Sequence, residues 1–205
     1  IRVRIPGGKT GSYQLRALAG IAGAYGNGLL DLTTRQQLQL RQIRIEDVPA
    51  VFAKMEEVGL TSLQTGMDNV RGVMTCPVAG LSNDEVLDAT LIVRAITEEI
   101  LGSRDYSNLP RKFNVAVTGC PDNCVHMETQ DLALVPAYHD SGQGRSVGYN
   151  ILAGGKLGSG GYRIATPLDI FVTEAEALDV SRAIIHIFRD HGSRENRTQA
   201  RLAFL

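Results

Sequence analysis

Residues 108–124, NLPRKFNVAVTGCPDNC, decide how the rest of the chain is read. A cationic pair, Arg111-Lys112, enters the run Phe113-Asn114-Val115-Ala116-Val117. Apolar and small residues there fall on a period of two, and β-branched valines suit a pleated surface, so the run predicts a strand. Side chains of a strand alternate faces, which puts Lys112 and Asn114 together on one and Val115 and Val117 on the other. Thr118-Gly119 ends the strand, and two thiols, Cys120 and Cys124, follow on a Pro/Asp/Asn turn. Anion-seeking groups at one end and soft metal ligands at the other describe a cofactor pocket rather than a strand that only fills a core.

Upstream, the first sixty residues follow a β-α-β-β-α order. Ile1–Ile5 alternates apolar and basic residues as a half-buried strand does, and Pro6-Gly7-Gly8 breaks it. Leu15, Leu18, Ala22 and Tyr25 lie at helical spacing within Tyr13–Tyr25, and Gly26-Asn27-Gly28 stops that helix. Leu29–Thr34 and Gln37–Ile43 predict two strands, with Leu38, Leu40 and Gln42 on one face. Asp47 opens a short helix, Val48–Val58, ended by Gly59. The order resembles a ferredoxin-like half-sheet with helices on one face.

Thr61–Gly80 has no clear period and is rich in Gly, Thr, Asp and Asn, which marks a functional loop. Ser82 with Glu85 has capping-box spacing and predicts a helix from there to about Leu101. Beyond the central strand, Leu132–Tyr138 and Val147–Ala153 predict two more. Gly154–Gly161 is a glycine-rich connection carrying Lys156; it lacks the Gly-Lys-Ser/Thr ending of a phosphate loop and reads as a turn. Thr173 with Glu176 forms a second capping box, opening a helix with Leu178, Ile184, Ile185 and Phe188 inward and His191-Gly192 as its stop. Ala200–Leu205 is expected to be helical.

With 205 residues, 43% hydrophobic and 21% charged, the chain has the composition of an ordinary soluble globular protein with a sizeable core. A net charge of −1 gives no case for nucleic acid or an anionic membrane as partner, so any basic site is local. No apolar run approaches the length that spans a bilayer. Three cysteines, an odd number without secretory context, argue for a reducing cytoplasm rather than a disulfide framework. The chain opens in a strand pattern and closes in a helical one, as expected of a piece of a longer polypeptide.

Four cations stand out: Arg35, Arg71, Arg111 and Lys112. Each enters or precedes a strand beside Gly, Asn, Thr or Pro, where a solvated turn residue and a member of a shared anion site are both open readings. Guanidinium forks bind carboxylates bidentately, and Lys adds a movable charge with a titratable proton. A lone C-x3-C pair fits two buried turn cysteines as well as half a metal site. Its glycine and proline context favours backbone donors toward sulfur, with Cys76 a third thiol. His126 and Glu128 read as surface loop residues.

Taken in series, RVRIPGG, LTTRQQLQL, GLTSLQTGMDNVRGV, CPVAG, NLPRKFNVAVTGCPDNC and FRDHGSRENRTQARLAFL resemble the siroheme-containing nitrite and sulfite reductases. The resemblance covers nearly the whole chain. It implies an α+β fold: a ferredoxin-like half-domain over residues 1–60, then a siroheme-type domain over 61–205 with a mixed sheet and flanking helices. The pair is repeated in the full enzyme of that family, and this chain resembles the first repeat. The family's Thr-Thr-Arg motif carries over to Arg35, its Asp-Asn-Val-Arg motif to Arg71, and its Pro-Arg-Lys-Phe-x motif to Lys112 and Asn114. Sulfite-reducing members often have Lys at that last place, while ferredoxin-dependent nitrite reductases resemble this chain in having Asn.

The implied activity is six-electron reduction of nitrite to ammonia, with sulfite reduction and a non-catalytic packing repeat as alternatives. Electrons would come from reduced ferredoxin through a [4Fe-4S] cluster to siroheme. Arg35, Arg71, Lys112 and Asn114 would surround the distal face. Arg111 and Lys156 would hold siroheme carboxylates, with Gln64 and Thr65 along the macrocycle. The family's cluster needs a C-x5-C pair before the C-x3-C pair; Cys76 matches the second member of the first, but its partner position is Val70. Valine cannot ligate iron, so no metal is expected on this chain and the cluster is expected on a second repeat.

Overall fold

The computed structural model describes residues 1–142, 144–158 and 161–205. The glycine-rich connection predicted over 154–161 therefore lies partly outside the described residues. The first unit is a three-stranded antiparallel sheet of β1 (Arg2–Val3), β2 (Leu30–Leu32) and β3 (Leu38–Leu40), in the order β1-β3-β2. Helices α1 (Ser12–Tyr25) and α2 (Val48–Glu56) cover it. Val3, Ile5, Leu18, Ile21, Leu38, Leu40, Val51 and Met55 form its core, as the alternating and helical periods require. The strands are shorter than the sequence predicts because Thr33–Gln37 closes as a turn. Thr33 N–H donates to Gln37 O (2.9 Å) and Gln36 N–H to Thr33 O (2.9 Å).

The second unit is a mixed sheet, β4 (Val115–Val117), β5 (Leu132–Asp140), β6 (Arg145–Ala153) and β7 (Thr166–Thr173), in that spatial order. The β4–β5 pair is parallel and the others antiparallel. Val115 and Val117 face a core shared with α3 (Ala89–Ile100) and α4 (Ala177–His191). Ala116, on the opposite face with Asn114, packs on Met74, Met127 and Ala133. The predicted alternation along β4 holds.

On its free side β4 is flanked by residues 69–74, inside the stretch read from sequence as loop. Arg71 N–H donates to Phe113 O (2.8 Å), Phe113 N–H to Asn69 O (3.1 Å) and Met74 N–H to Val115 O (3.0 Å). This parallel ladder pairs Val70 with Phe113 and so brings Arg71 level with Asn114, one residue past Phe113 from Lys112. Strand β7 went unpredicted. Pro167 and Asp169 interrupt its pattern, which an edge strand tolerates because one row of its backbone donors has no partner to serve.

Two further readings need correcting. Ser82 and Glu85 do not start a helix: Ser82 Oγ accepts from Asp84 N–H (3.2 Å) and the Glu85 carboxylate from Gly80 N–H (2.8 Å), closing a turn. α3 begins at Ala89, capped by Asp88, whose carboxylate accepts from Thr90 N–H (2.8 Å). The closing segment forms only a 3₁₀ turn, Leu202–Phe204. The Thr173–Glu176 pair does precede α4, with the Glu176 carboxylate accepting from Thr173 N–H (2.9 Å). Among the described residues no helix is long and apolar enough to cross a membrane.

Candidate anion and cofactor site

Arg35 stands at the tip of the Thr33–Gln37 turn, held from both sides. The Gln36 amide bridges Thr75, donating to its carbonyl (2.6 Å) and accepting from its N–H (3.1 Å). Gln37, 1% exposed, accepts from Ile5 N–H and donates to Ile5 O and Arg35 O, each at 2.9 Å. A Cβ at Gly72 would lie 2.4 Å from that amide, so only glycine lets the two segments close. Gln37→Leu orphans both Ile5 groups and is expected to cost about 2–4 kcal/mol. It should also weaken anion binding by releasing Arg35; denaturant titration and anion titration of the variant check both.

Arg71 donates to Thr65 O and Met67 O, both at 2.7 Å, and its Nε is buried with no partner. Arg2 also donates to Thr65 O (2.8 Å). Arg4, 2% exposed, spreads over the carbonyls of Gln64 (2.8 Å) and Val70 (3.2 Å). Burial pushes Arg4 down to about 10, and burial with the Arg2 and Arg35 charges does the same to Arg71. Guanidinium groups planted on backbone carbonyls thus shape the 61–71 loop.

Gln64 and Thr65 contribute to this wall through their backbone. The Gln64 side chain accepts from Gly102 N–H (2.9 Å) and donates to Ser103 O (3.0 Å), pinning the end of α3. Thr65 Oγ1 donates to Ser62 O (2.8 Å).

Lys112 is half-buried, and neither its ammonium nor the Arg35 guanidinium makes a hydrogen bond or salt bridge among the described residues, although the Asp131 charge acts on Lys112. Burial lowers the Lys112 pKa, and the charges of Arg201, Arg35, Arg71 and Arg111 lower it further. Arg35 is lowered by burial and by the charges of Arg2 and Arg201. Cations from four separate segments therefore act on one point. Asn114, at the entry to β4 on the side opposite its valines, is 8% exposed, with Oδ1 buried and, among the described residues, unpartnered.

Next to Lys112 a cavity of about 200 Å³ is lined by Arg111, Lys156, Arg197, Thr198 and Arg201. Asp68 takes both Arg111 (3.3 Å) and Arg197 (3.1 Å). Lys156, 3% exposed, donates to Gly161 O (2.8 Å) and lies over the Phe204 ring. Burial lowers its pKa. Sequence reasoning missed Arg2, Arg4, Arg201 and Asp131. The only signal for Arg4 was its place in the IRVRI strand, where an inward basic residue demands acceptors.

The donor set suits one implied group and not the other. Like charges gathered with buried orphan polar atoms are satisfied by a ligand rich in carboxylates and by a small oxyanion, so the residues fit siroheme. They do not fit an iron–sulfur cluster. Cys76 and Cys120, each 3% exposed, are in thiol contact at 3.8 Å, while Cys124 is exposed. Val70 is a buried core residue bridged to Phe113. His126 is exposed, facing Glu128 at 3.6 Å. Among the described residues no group of three or more His, Cys, Asp or Glu is placed to hold a metal. Acid-labile sulfide in the isolated chain is accordingly expected at background; about four per chain would contradict this.

A mixed sheet carrying this cation basin, behind a ferredoxin-like half-sheet, defines a class. Residues 66–205 match the family described as nitrite and sulphite reductase 4Fe-4S domain, and residues 1–58 the nitrite/sulfite reductase ferredoxin-like half domain. The chain belongs to the nitrite and sulfite reductase family. Among its relatives is a ferredoxin–nitrite reductase of Leptolyngbya laminosa, 43% identical over 210 residues, matched over 100% of this chain and 40% of the relative. The chloroplastic ferredoxin–nitrite reductase of Arabidopsis thaliana is 40% identical, over 100% of this chain and 35% of that protein.

In fold, the chain superposes on the NirA protein of Mycobacterium tuberculosis with a TM-score of 0.92 at 33% identity, over 100% of this chain and 36% of that one. A dissimilatory sulfite reductase I shares the fold at a TM-score of 0.82 and 15% identity, over 98% of this chain and 65% of that one. The chain thus spans less than half the length of the nitrite reductases it matches.

Proposed function

We propose that residues 1–205 form one repeat, of the first-repeat type, of a ferredoxin-dependent nitrite reductase that reduces nitrite to ammonia in the cytoplasm. Within it, residues 1–60 are the ferredoxin-like half-domain and 61–205 the siroheme-type domain. The observation that carries this is the grouping of Lys112 and Arg35, neither hydrogen-bonded nor salt-bridged among the described residues, with Arg71 beside Asn114, a cation cluster that an anion would complete. Siroheme, when bound, supplies the iron and the electron path. Arg111 and Lys156 hold its carboxylates. Arg35, Arg71 and Lys112 draw the small anion in and stabilise charge on its oxygens, and Lys112 delivers protons. Asn114 in place of a further cation matches the smaller charge of nitrite against sulfite.

The partner in this reading is a second repeat bearing the C-x5-C and C-x3-C thiols, with ferredoxin as donor. The incomplete thiol set also favours a second reading, a degenerate repeat that only packs against the cluster-bearing half. Ferredoxin-driven assays of the full-length protein separate these. Ammonia from nitrite should exceed sulfide from sulfite; the reverse ratio moves the assignment to sulfite reduction. A second repeat that alone retains full nitrite turnover and the siroheme bands favours the packing role.

A further inference from the structure

Asp131 immediately precedes β5 and is fully buried, at 0% exposure. One carboxylate oxygen accepts from Asn114 N–H (2.7 Å) and the other from Arg201 Nε (2.9 Å), while Arg201 Nη2 makes a second, closer contact. Arg201, 5% exposed, lines the same cavity as Lys112. The Asp131 carbonyl also takes Gly154 N–H (2.9 Å), so this residue ties β4, the end of β6 and the closing segment together. We infer that Asp131 and Arg201 form a positioning pair that holds the Lys112–Asn114 edge in place, with the Asp131 carboxylate offsetting the Arg201 guanidinium so that the Lys112 ammonium stays charged for its anion. The inference rests on the proposed anion site for its consequence in catalysis.

The charges around Lys112 make the case. Arg201, Arg35, Arg71 and Arg111 all oppose its ammonium, with Arg201 the strongest, and Lys156 and Arg197 stand across the cavity. Asp68 is spent on Arg111 and Arg197. The Asp131 carboxylate, hydrogen-bonded to the Asn114 N–H two residues along β4's entry from Lys112, acts on the Lys112 charge. Burial pushes the Asp131 carboxyl up, while the two-pronged Arg201 contact and the Asn114 N–H act against that shift by favouring the carboxylate. Removing its charge leaves Arg201 uncompensated against Lys112. Removing Arg201 relieves the largest repulsion.

The test reads Lys112 directly in the full-length protein, by pH-dependent acetylation with acetic anhydride quantified by peptide mass spectrometry. Asp131→Asn should lower the half-titration pH of Lys112 by about one unit, and Arg201→Gln should raise it by a similar amount. Arg201→Lys, which keeps the charge, should restore the wild-type value. Opposite shifts cannot come from unfolding, which returns both variants to the ordinary lysine value. An Asp131→Asn value at or above wild type overturns the inference. Should that variant not fold, Arg201→Gln with wild-type near-ultraviolet dichroism decides: an upward shift supports the pair and no shift overturns it. If Lys112 titrates as expected while the alkaline limb of nitrite turnover stays put, the pair stands and the anion-site reading falls.

Discussion

Lys112→Met is expected to cut nitrite turnover of the full-length protein by about 10²- to 10³-fold while the tetrapyrrole absorbance remains. The side chain is half-buried, makes no hydrogen bond or salt bridge among the described residues, and is opposed by four neighbouring guanidinium groups. Against that company the Asp131 carboxylate supplies an opposing negative charge. Methionine matches its length and lacks its charge, so packing survives and the electrostatic grip does not. On the proposed reading the loss should fall on kcat more than on KM, since charge would build on the anion oxygens as N–O bonds break and the proton would come from nearby. Stability should rise slightly, because one repelling charge leaves the basin. Steady-state kinetics with nitrite, beside an absorbance spectrum of the same sample, check both halves; turnover at the wild-type level would remove Lys112 from its assigned role.

Gly119→Ala should destabilise the fold by about 3 kcal/mol or more. A Cβ there would lie 2.0 Å from Leu87 O, a backbone atom that cannot swing away. The same glycine accepts from Val86 N–H (2.7 Å), so its carbonyl anchors the approach to α3 while its Cα touches the segment it anchors. Moving either strand or loop to make room would disturb β4 and the lysine at its entrance. Gly20→Ala is the internal control. It lies in α1 with nothing within 4 Å of the added methyl, and should stabilise by about 0.5–1 kcal/mol through helix propensity. Denaturant midpoints of the two variants, measured side by side, should move in opposite directions.

Much of the framework that carries the candidate site is legible in the sequence because it is regular structure. β4 alternates as its residues predict, which places Asn114 opposite the valines, and Arg35 is carried by a turn that its threonines and glutamines close. What escaped the sequence was long-range pairing. Arg201 and Asp131 lie 70 residues apart, and nothing in either neighbourhood marks them as partners. Residues 69–74 looked like loop because their ladder is short and parallel, with Gly72 and Asn69 breaking the period. β7 was hidden by Pro167 and Asp169, and Ser82–Glu85 imitated a helix start whose true cap is Asp88. Arg4 reads in the sequence only as a basic residue of a half-buried strand, whereas the carbonyls of the 61–71 loop enclose it.

Anomalous diffraction from crystals of the full-length protein soaked in bromide would show where anions settle without reliance on turnover. A peak bounded by Arg35, Arg71 and Lys112, above Asn114, is the expected result, and it should vanish in Lys112→Met. Bromide bound only elsewhere on the surface, with no density among those three side chains, would contradict the account.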